Sequence, residues 1–369
     1  SYSLYLWHYP IFAFNRIIEF TDGSIFRGIF VGLLIVILSI ISYFFIERPA
    51  RKKSIKFKII LSFISITFFI LIFYNIFVIS NGGYKNRLPE ILNQKQDRIY
   101  DLLKNSKGET CMDNLNECQF NVSSKRDFHI IGDSHLATLA FDLKDRLIQK
   151  DFKVLISTFA GCLYFPGFNK IELKTNKGNL ECNEKRFEKK RIELIGKESI
   201  VLIGGRMPLY LSNFYFDNEE GGIEGGDWGF RFVSTGDYKN IESSFKNEIL
   251  KISKTNKVIL VYPIPEVGWD PHNKIYLQWL NRNKFFNKNF EFLSVDTSYE
   301  VYKKRTQSSF ELLDSIKGDN IYRVFPHRLF CNTIKKNRCV THDGVNIFYN
   351  DADHPSLKGS RMINDHIMK

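Results

Sequence analysis

From Gly28 to Ile46, and again from Ile59 to Ser80, the chain carries no charged residue. At a rise of 1.5 Å per residue each run is long enough, as a helix, to cross a hydrocarbon layer of about 30 Å. Both are predicted to be transmembrane helices. Ser1 to Asn15 is also free of acids, Lys and Arg before Arg16, and fits the tail of a further span. A cleavable signal peptide does not fit a chain with two further long apolar runs. With no initiator Met and an opening in mid-pattern, the chain is expected to be the C-terminal piece of a longer protein.

The loop between the runs sets the topology. Glu47 to Lys58 holds six Lys or Arg against one Glu, which places it in the cytoplasm by the positive-inside rule. The loop before it, Arg16 to Arg27, balances two Arg against Glu19 and Asp22. Everything after Ser80 is then delivered to the opposite side, the periplasm or exterior of a bacterium. The formal net charge of +12 divides between this topogenic loop and a lysine-rich solvated surface. No nucleic-acid-binding motif accompanies it.

All six cysteines, Cys111, Cys118, Cys162, Cys182, Cys331 and Cys339, follow the last apolar run. An even number in an exported domain points to disulfides. The nearest-neighbour pairing is expected, because each such bridge closes a short loop. No metal site is expected, since there is no Cys-x-x-Cys and no Cys/His cluster at ligand spacing. Asn121-Val122-Ser123 is a glycosylation sequon that matters only in a eukaryotic secretory pathway.

The remaining chain reads as an ordinary globular sequence, which excludes disorder and fibrous repeats. Residues 81–127 are expected to be a linker or extension around one amphipathic stretch, Leu88 to Leu103. Strand candidates are Phe128 to Ile131, Val154 to Thr158, Ile200 to Ile203 and Val258 to Tyr262, with Phe292 to Val295 weaker. Helical periods cover Arg186 to Ile195, Ile241 to Ile252 and Tyr299 to Ile316. Alternation of this kind predicts an α/β domain over 128–369, with a mostly parallel sheet covered on both faces.

Ligands of such sheets sit beyond the carboxyl ends of the strands. The first strand-to-helix turn is Gly132-Asp133-Ser134-His135, and Ser134 there is either a nucleophile at a helix N-terminus or only a cap. Near the far end stands Asp351-Ala352-Asp353-His354, entering a last amphipathic segment. His354 is a candidate base for Ser134, with Asp351 orienting its ring and Asp353 a rival for that role. His135 is expected to be a wall residue, and His342 and His366 serve as controls.

These residues resemble SGNH (GDSL-type) hydrolases, whose first and last sequence blocks are similar to Gly-Asp-Ser-His and Asp-x-x-His. Ser1-Tyr2-Ser3-Leu4-Tyr5-Leu6-Trp7-His8-Tyr9-Pro10 and Glu47-Arg48-Pro49 resemble the end of the acyltransferase-3 membrane domain. The whole chain thus resembles the C-terminal half of bacterial acyltransferase-3/SGNH fusions that O-acetylate cell-surface glycans such as lipopolysaccharide O-antigen.

The resemblance implies a flavodoxin-like, three-layer SGNH-hydrolase domain (128–369) behind transmembrane helices (1–80) at the inner membrane. Acetyl-CoA would be the donor to the missing membrane domain, which is the expected partner together with a glycan acceptor. Ser134 would carry the acetyl group, with His354 and Asp351 as its base and orienting acid. The backbone N–H of Ser134 would be one oxyanion donor, and Gly161, where the family's second-block glycine is expected, is either a second donor or an ordinary turn glycine. The usual Gly-x-Asn-Asp block is missing, and Gly204-Gly205-Arg206-Met207 stands after the central strand instead. Arg206 is a candidate for acceptor or oxyanion contact, or is held by a local carboxylate. Trp228 and Trp269, near Gly-rich acidic or Pro-rich loops, are candidate sugar contacts. A periplasmic acetylesterase and a non-catalytic glycan-binding module are the rival functions.

Overall fold

A computed structural model describes residues 2–17, 20–21, 24–51, 57–93, 99–178, 182–194, 197–236, 238–283 and 295–369. They form two compact units, Ser1–Pro89 with Tyr276–Phe290, and Glu90–Ile275 with Glu291–Lys369.

The first unit holds α1 (Tyr2–Ile17), α2 (Ile25–Ser42), a π-helical turn (Tyr43–Glu47), α3 (Arg48–Ala50) and α4 (Phe57–Ser80). Two stretches, Ile25–Ala50 and Phe57–Ser80, are long and apolar enough to cross a membrane. Phe30, Phe45, Phe69 and Phe73 are each more than half exposed. A helix apolar on all sides finds its solvent in lipid. The basic loop between the spans falls largely at 52–56, outside the described residues. Polar groups instead tie α1 to the end of α2: the Trp7 indole donates to Ser42 Oγ (2.7 Å) and the Ser3 hydroxyl to Glu47 Oε2 (2.6 Å).

The second unit runs α5 (Ile99–Leu102), β1 (Cys118–Phe120), β2 (Asp127–Gly132), α6 (Ser134–Gln149), β3 (Lys153–Thr158), β4 (Phe168–Glu172), α7 (Glu184–Leu194), β5 (Ile200–Gly204) and α8 (Met207–Ser212). It continues with β6 (Phe230–Ser234), α9 (Ile241–Ile252), β7 (Lys257–Val261), the start of α10 (Pro271–Asn283), β8 (Thr297–Ser298), α11 (Tyr299–Ser315), β9 (Ile321–Val324), α12 (His327–Phe330), β10 (Arg338–Cys339) and α13 (Leu357–Ile367). The main sheet has the order β1-β3-β2-β5-β7-β9, parallel except for β1. Its five parallel strands follow the doubly wound 2-1-3-4-5 order.

Side chains alternate between the faces of this sheet. Ile130 and Leu202 point to one face, with Leu136, Leu139, Leu143 and Leu147 of α6 and Ile363 of α13. Ile131, Val201 and Ile203 point to the other, with Phe187 of α7, Phe245 and Ile249 of α9 and Leu312 of α11. Gly132 stands where β2 and β5 run side by side, and a Cβ there would lie 2.2 Å from the Gly204 carbonyl oxygen.

Two expectations are revised. The strand beyond β7 is β9, whereas Phe292, Leu293 and Ser294 lie outside the described residues and Val295 is in no strand. The compact unit also begins well before residue 128. Ile91, Leu92, Ile99 and Leu103 are buried, and β1 pairs antiparallel with β3 from Cys118↔Ile156 to Phe120↔Val154. A polar composition around these few anchors conceals a docked segment.

The disulfides join Cys111–Cys118, Cys162–Cys182 and Cys331–Cys339, the nearest-neighbour set. Cys162–Cys182 closes the longest loop, with a separation of 20 residues. Chain entropy assigns a bridge of that size about 3 kcal/mol. Replacing Cys162 and Cys182 by Ser together should lower the unfolding free energy by roughly that amount. Denaturant unfolding of both proteins checks this, and it should leave the Ser variant insensitive to reduction of that bridge.

Candidate active site

Asp133, not Ser134, caps α6: its Oδ1 accepts the His135 N–H at 2.9 Å. Ser134 is thereby released from capping. As the first residue of the helix it also has no intrahelical acceptor for its own N–H. The other carboxylate oxygen of Asp133 accepts the backbone N–H of Arg206 (2.7 Å) and the Tyr210 hydroxyl. One buried carboxylate therefore joins the exits of β2 and β5, the switch point of the sheet. Gly205 fits between them because a Cβ there would come within 2.7 Å of Asp133 Oδ2.

The opposite wall is a tight turn. Asp351 Oδ1 accepts the backbone N–H groups of Asp353 (3.1 Å) and His354 (2.8 Å), which folds Asp-x-x-His back on itself. The Ala352 carbonyl accepts from the N–H groups of Val267 (2.7 Å) and Gly268 (2.9 Å), fixing the turn to the loop after β7. Ser356 then caps α13, and α13 docks on α6 through Asn364, whose amide donates to the Leu139 carbonyl (3.0 Å). The result brings His354 Nε2 to 2.7 Å from Ser134 Oγ, while Nδ1 lies 2.9 Å from Asp351 Oδ2.

Asp353 is a second carboxylate on the same ring. Its Oδ1 lies 3.1 Å from His354 Nδ1, and its Oδ2 lies 3.0 Å from both His135 Nε2 and Arg206 Nη1. With two carboxylates facing Nδ1, that nitrogen keeps its proton, and whenever the ring is neutral Nε2 accepts from the Ser134 hydroxyl. Burial alone would lower the His354 pKa, but Asp353 and Asp351 raise it to about 10. Burial opposes ionisation of Asp353, yet His354 and Arg206 hold its carboxyl well below the usual range.

Arg206 is held by carboxylates on every side. Besides Asp353 it binds Glu224 and Glu266, and Glu266 Oε2 also accepts from Arg305 Nε at 2.9 Å. Burial raises the Glu224 carboxyl, whereas Arg206 and Arg305 overcome burial to lower that of Glu266. A guanidinium so engaged has little left for a substrate, so of the two readings of Arg206 the local carboxylates account for it. His135, Asp353 and His354 offer donor atoms within 4.8 Å of one another, the spacing of a metal site. His135 Nε2, both Asp353 oxygens and both His354 nitrogens are engaged with one another, with Arg206, Asp351 or Ser134, whereas His135 Nδ1 has no hydrogen-bond partner among the described residues.

Gly161 lies in the turn after β3, where Phe159 N–H donates to the Gly132 carbonyl at 3.1 Å. Its φ of +59° favours glycine, and a Cβ there would stand 3.1 Å from Lys170 Nζ and 3.3 Å from Trp228 Cζ2. Trp228 is a correction: it is 6% exposed, packed on Tyr210 and Phe232, with Lys170 Nζ over its ring. It belongs to the core and offers no open face to a sugar. Trp269 donates to the Val295 carbonyl (3.3 Å) and carries Lys274 over its ring. Among the described residues neither indole makes a hydrogen bond or ring contact with Ser134 or His354.

Several contributors lay outside the sequence reading. Tyr100 stands with its ring 5.2 Å from that of His354, although it comes from the expected linker. Glu266 sits in the Pro263-Ile264-Pro265-Glu266 stretch, where its burial was the missing signal. Asp133 is part of the motif that carries Ser134.

The family model of the SGNH domain (fused to AT3 domains) matches residues 104–369. The chain belongs to this SGNH family. Two similar curated proteins are the O-acetyltransferase OatA of Staphylococcus aureus, 47% identical over 58 residues, and the peptidoglycan O-acetyltransferase OatA of Listeria monocytogenes, 42% identical over 54. These alignments cover 15% and 14% of this chain, and the chain spans 10% and 9% of the length of those relatives. Among solved structures, the SGNH chain is similar to the periplasmic domain of a Salmonella Paratyphi A lipopolysaccharide acetyltransferase. That likeness has a TM-score of 0.45 and 18% identity, covering 71% of this chain and 93% of that one. A GDSL-like lipase of Bacteroides thetaiotaomicron follows at 0.30 and 13%, covering 67% and 87%.

Asp353→Asn removes a charge that stabilises the imidazolium, so it should lower the His354 pKa from its raised value. The titration of the His354 Cε1–H resonance reads this directly. The sign for stability follows: a raised histidine pKa stabilises the fold fully below the ordinary value of 6.5, and that contribution disappears as pH climbs to about 10. The loss of unfolding free energy over this window should be smaller in the Asn variant.

Proposed function

We propose that this SGNH domain is an O-acetyltransferase that moves an acetyl group onto a hydroxyl of a bacterial cell-surface glycan through an acyl-serine. The observation that carries the reading is His354 Nε2 at 2.7 Å from Ser134 Oγ, with its other nitrogen on Asp351, in a domain of a family fused to AT3 membrane domains. The names of its relatives, O-acetyltransferases of which one acts on peptidoglycan, support acetylation as the chemistry.

In the first half-reaction Ser134 Oγ attacks the acyl carbonyl carbon while its proton passes to His354 Nε2. The tetrahedral intermediate collapses, the leaving group takes that proton, and the acetyl ester of Ser134 remains. In the second half the acceptor hydroxyl attacks the ester, gives its proton to His354, and Ser134 Oγ recovers it on release. The N–H groups of Ser134 and Gly161 are the proposed oxyanion donors, each worth about a hundredfold or more in rate. Asp351 and Asp353 keep the proton on Nδ1 and stabilise the imidazolium that forms twice in the cycle.

The proposed placement is on the outer side of the bacterial inner membrane. Two candidate spans, a cationic loop between them and six paired cysteines in the second unit support it. Residues 1–80 are assigned to the end of the AT3 membrane domain, the partner that would receive acetyl-CoA and present its acetyl group to Ser134.

Ser134→Ala should lower acetyl transfer by at least about a thousandfold while leaving expression and unfolding unchanged. Mass spectrometry after incubation with an activated acetyl ester should find an adduct on Ser134. Adding surface oligosaccharides should discharge it as an oligosaccharide gains the acetyl mass. Discharge to water alone would make the domain an esterase, and transfer retained in Ser134→Ala would end the acyl-serine mechanism.

A further inference from the structure

The catalytic turns occupy the carboxyl ends of the parallel strands, and the opposite ends also enclose a depression. A groove of about 850 Å³ crosses the starts of β2, β5 and β7 at Asp127, Ile200 and Lys257. Five cations line it, Lys125, Arg126, Lys197, Lys254 and Lys257, against two carboxylates, Asp127 and Glu198. Other basic residues of the same domain are neutralised, Lys190 by Glu117 and Glu193, and Lys251 by Glu248. Among the described residues none of the five groove cations has an ion-pair partner, so the depression holds uncompensated positive charge.

The groove is preorganised as well as charged. The Arg126 guanidinium lies 4.0 Å over the Phe152 ring and spends Nη1 on the Lys150 carbonyl at 3.2 Å. Its other N–H groups are left for an oxyanion, in the fork geometry that suits phosphate. The floor needs nothing from a ligand. Buried Asn256 accepts from the Ser199 N–H (3.2 Å) and hydroxyl (2.5 Å) and donates to the Leu194 and Ile252 carbonyls (both 2.9 Å). Three adjacent strands spread the charges over about 10 Å, wider than one phosphate requires. The concave form suits a chain laid across the strand ends better than a flat array of headgroups.

We propose that this groove binds a phosphodiester-bearing polyanion, one chain lying across the starts of β2, β5 and β7. The six residues of β2 separate it from Ser134 by about 20 Å, so what it holds is not the reacting group. The inference goes beyond the acyl-transfer reading and stands without it. It assigns a partner to part of a positive charge that composition alone left as solvated surface.

The test uses the full chain carrying Ser134→Ala, in detergent micelles, with fluorescently labelled inorganic polyphosphate as the probe. Binding should weaken with added salt, and K197E/K254E should raise the Kd about tenfold or more. K174E/K177E makes the same change of net charge on exposed residues outside the groove and should shift Kd less than about twofold. Circular dichroism confirms that each variant is folded. Equal weakening by both pairs would reduce the effect to net charge and overturn the site, as would absence of binding. Orthophosphate competing as well as polyphosphate, phosphate for phosphate, would overturn a chain ligand. Loss of polyphosphate binding in phosphatidylglycerol nanodiscs, with retention in phosphatidylcholine ones, would assign the groove to lipid headgroups instead.

Discussion

The carboxylate of Asp133 holds the site together. It accepts hydrogen bonds from His135 at the start of α6 and from Arg206 and Tyr210 beyond β5, joining two loops that are more than 70 residues apart. Each bond does a separate task. The first ends the helix so that Ser134 need not, and the others fix the position of Arg206. Burial makes the arrangement demanding, because a buried carboxylate left without donors is costly. Gly205 gives way to that carboxylate by having no side chain.

From Arg206 the constraint passes to the imidazole. Arg206 and Arg305 are packed among Glu224, Glu266 and Asp353, a set of buried charges whose desolvation is offset only by close pairing. Asp353 is the link between this network and His354. The ring therefore answers to charge from both sides, from Asp351 in its own turn and from the β5 exit through Asp353. Among the described residues only Asp353 carries the influence of those buried charges to His354, through Nδ1.

How much of this the sequence revealed depended on whether the information was local. The central strands were legible because Ile130, Ile131, Leu202 and Leu260 sit in short apolar runs buried on both faces. β9 was not, since Tyr322 is exposed and Arg323 interrupts the apolar pattern of an edge strand. Asp351 and His354 stand three apart and meet through one turn, so spacing announced them. Asp353, Glu266 and Tyr100 act on partners far along the chain, and nothing in their immediate neighbours says so. Trp228 misled for the converse reason: its loop is Gly-rich and acidic, but the indole turns inward onto Tyr210.

Ser134 and His354, the proposed nucleophile and base, are separated by 220 residues, and His354 arrives just ahead of the last helix. α13 docks on α6, the helix that Ser134 itself begins. During synthesis the hydroxyl thus remains an ordinary alcohol until almost the whole domain has been made and closed upon itself. On the proposed mechanism an unfinished or misassembled chain has no activated oxygen with which to scavenge acyl groups, so chemical competence becomes a certificate of completed folding.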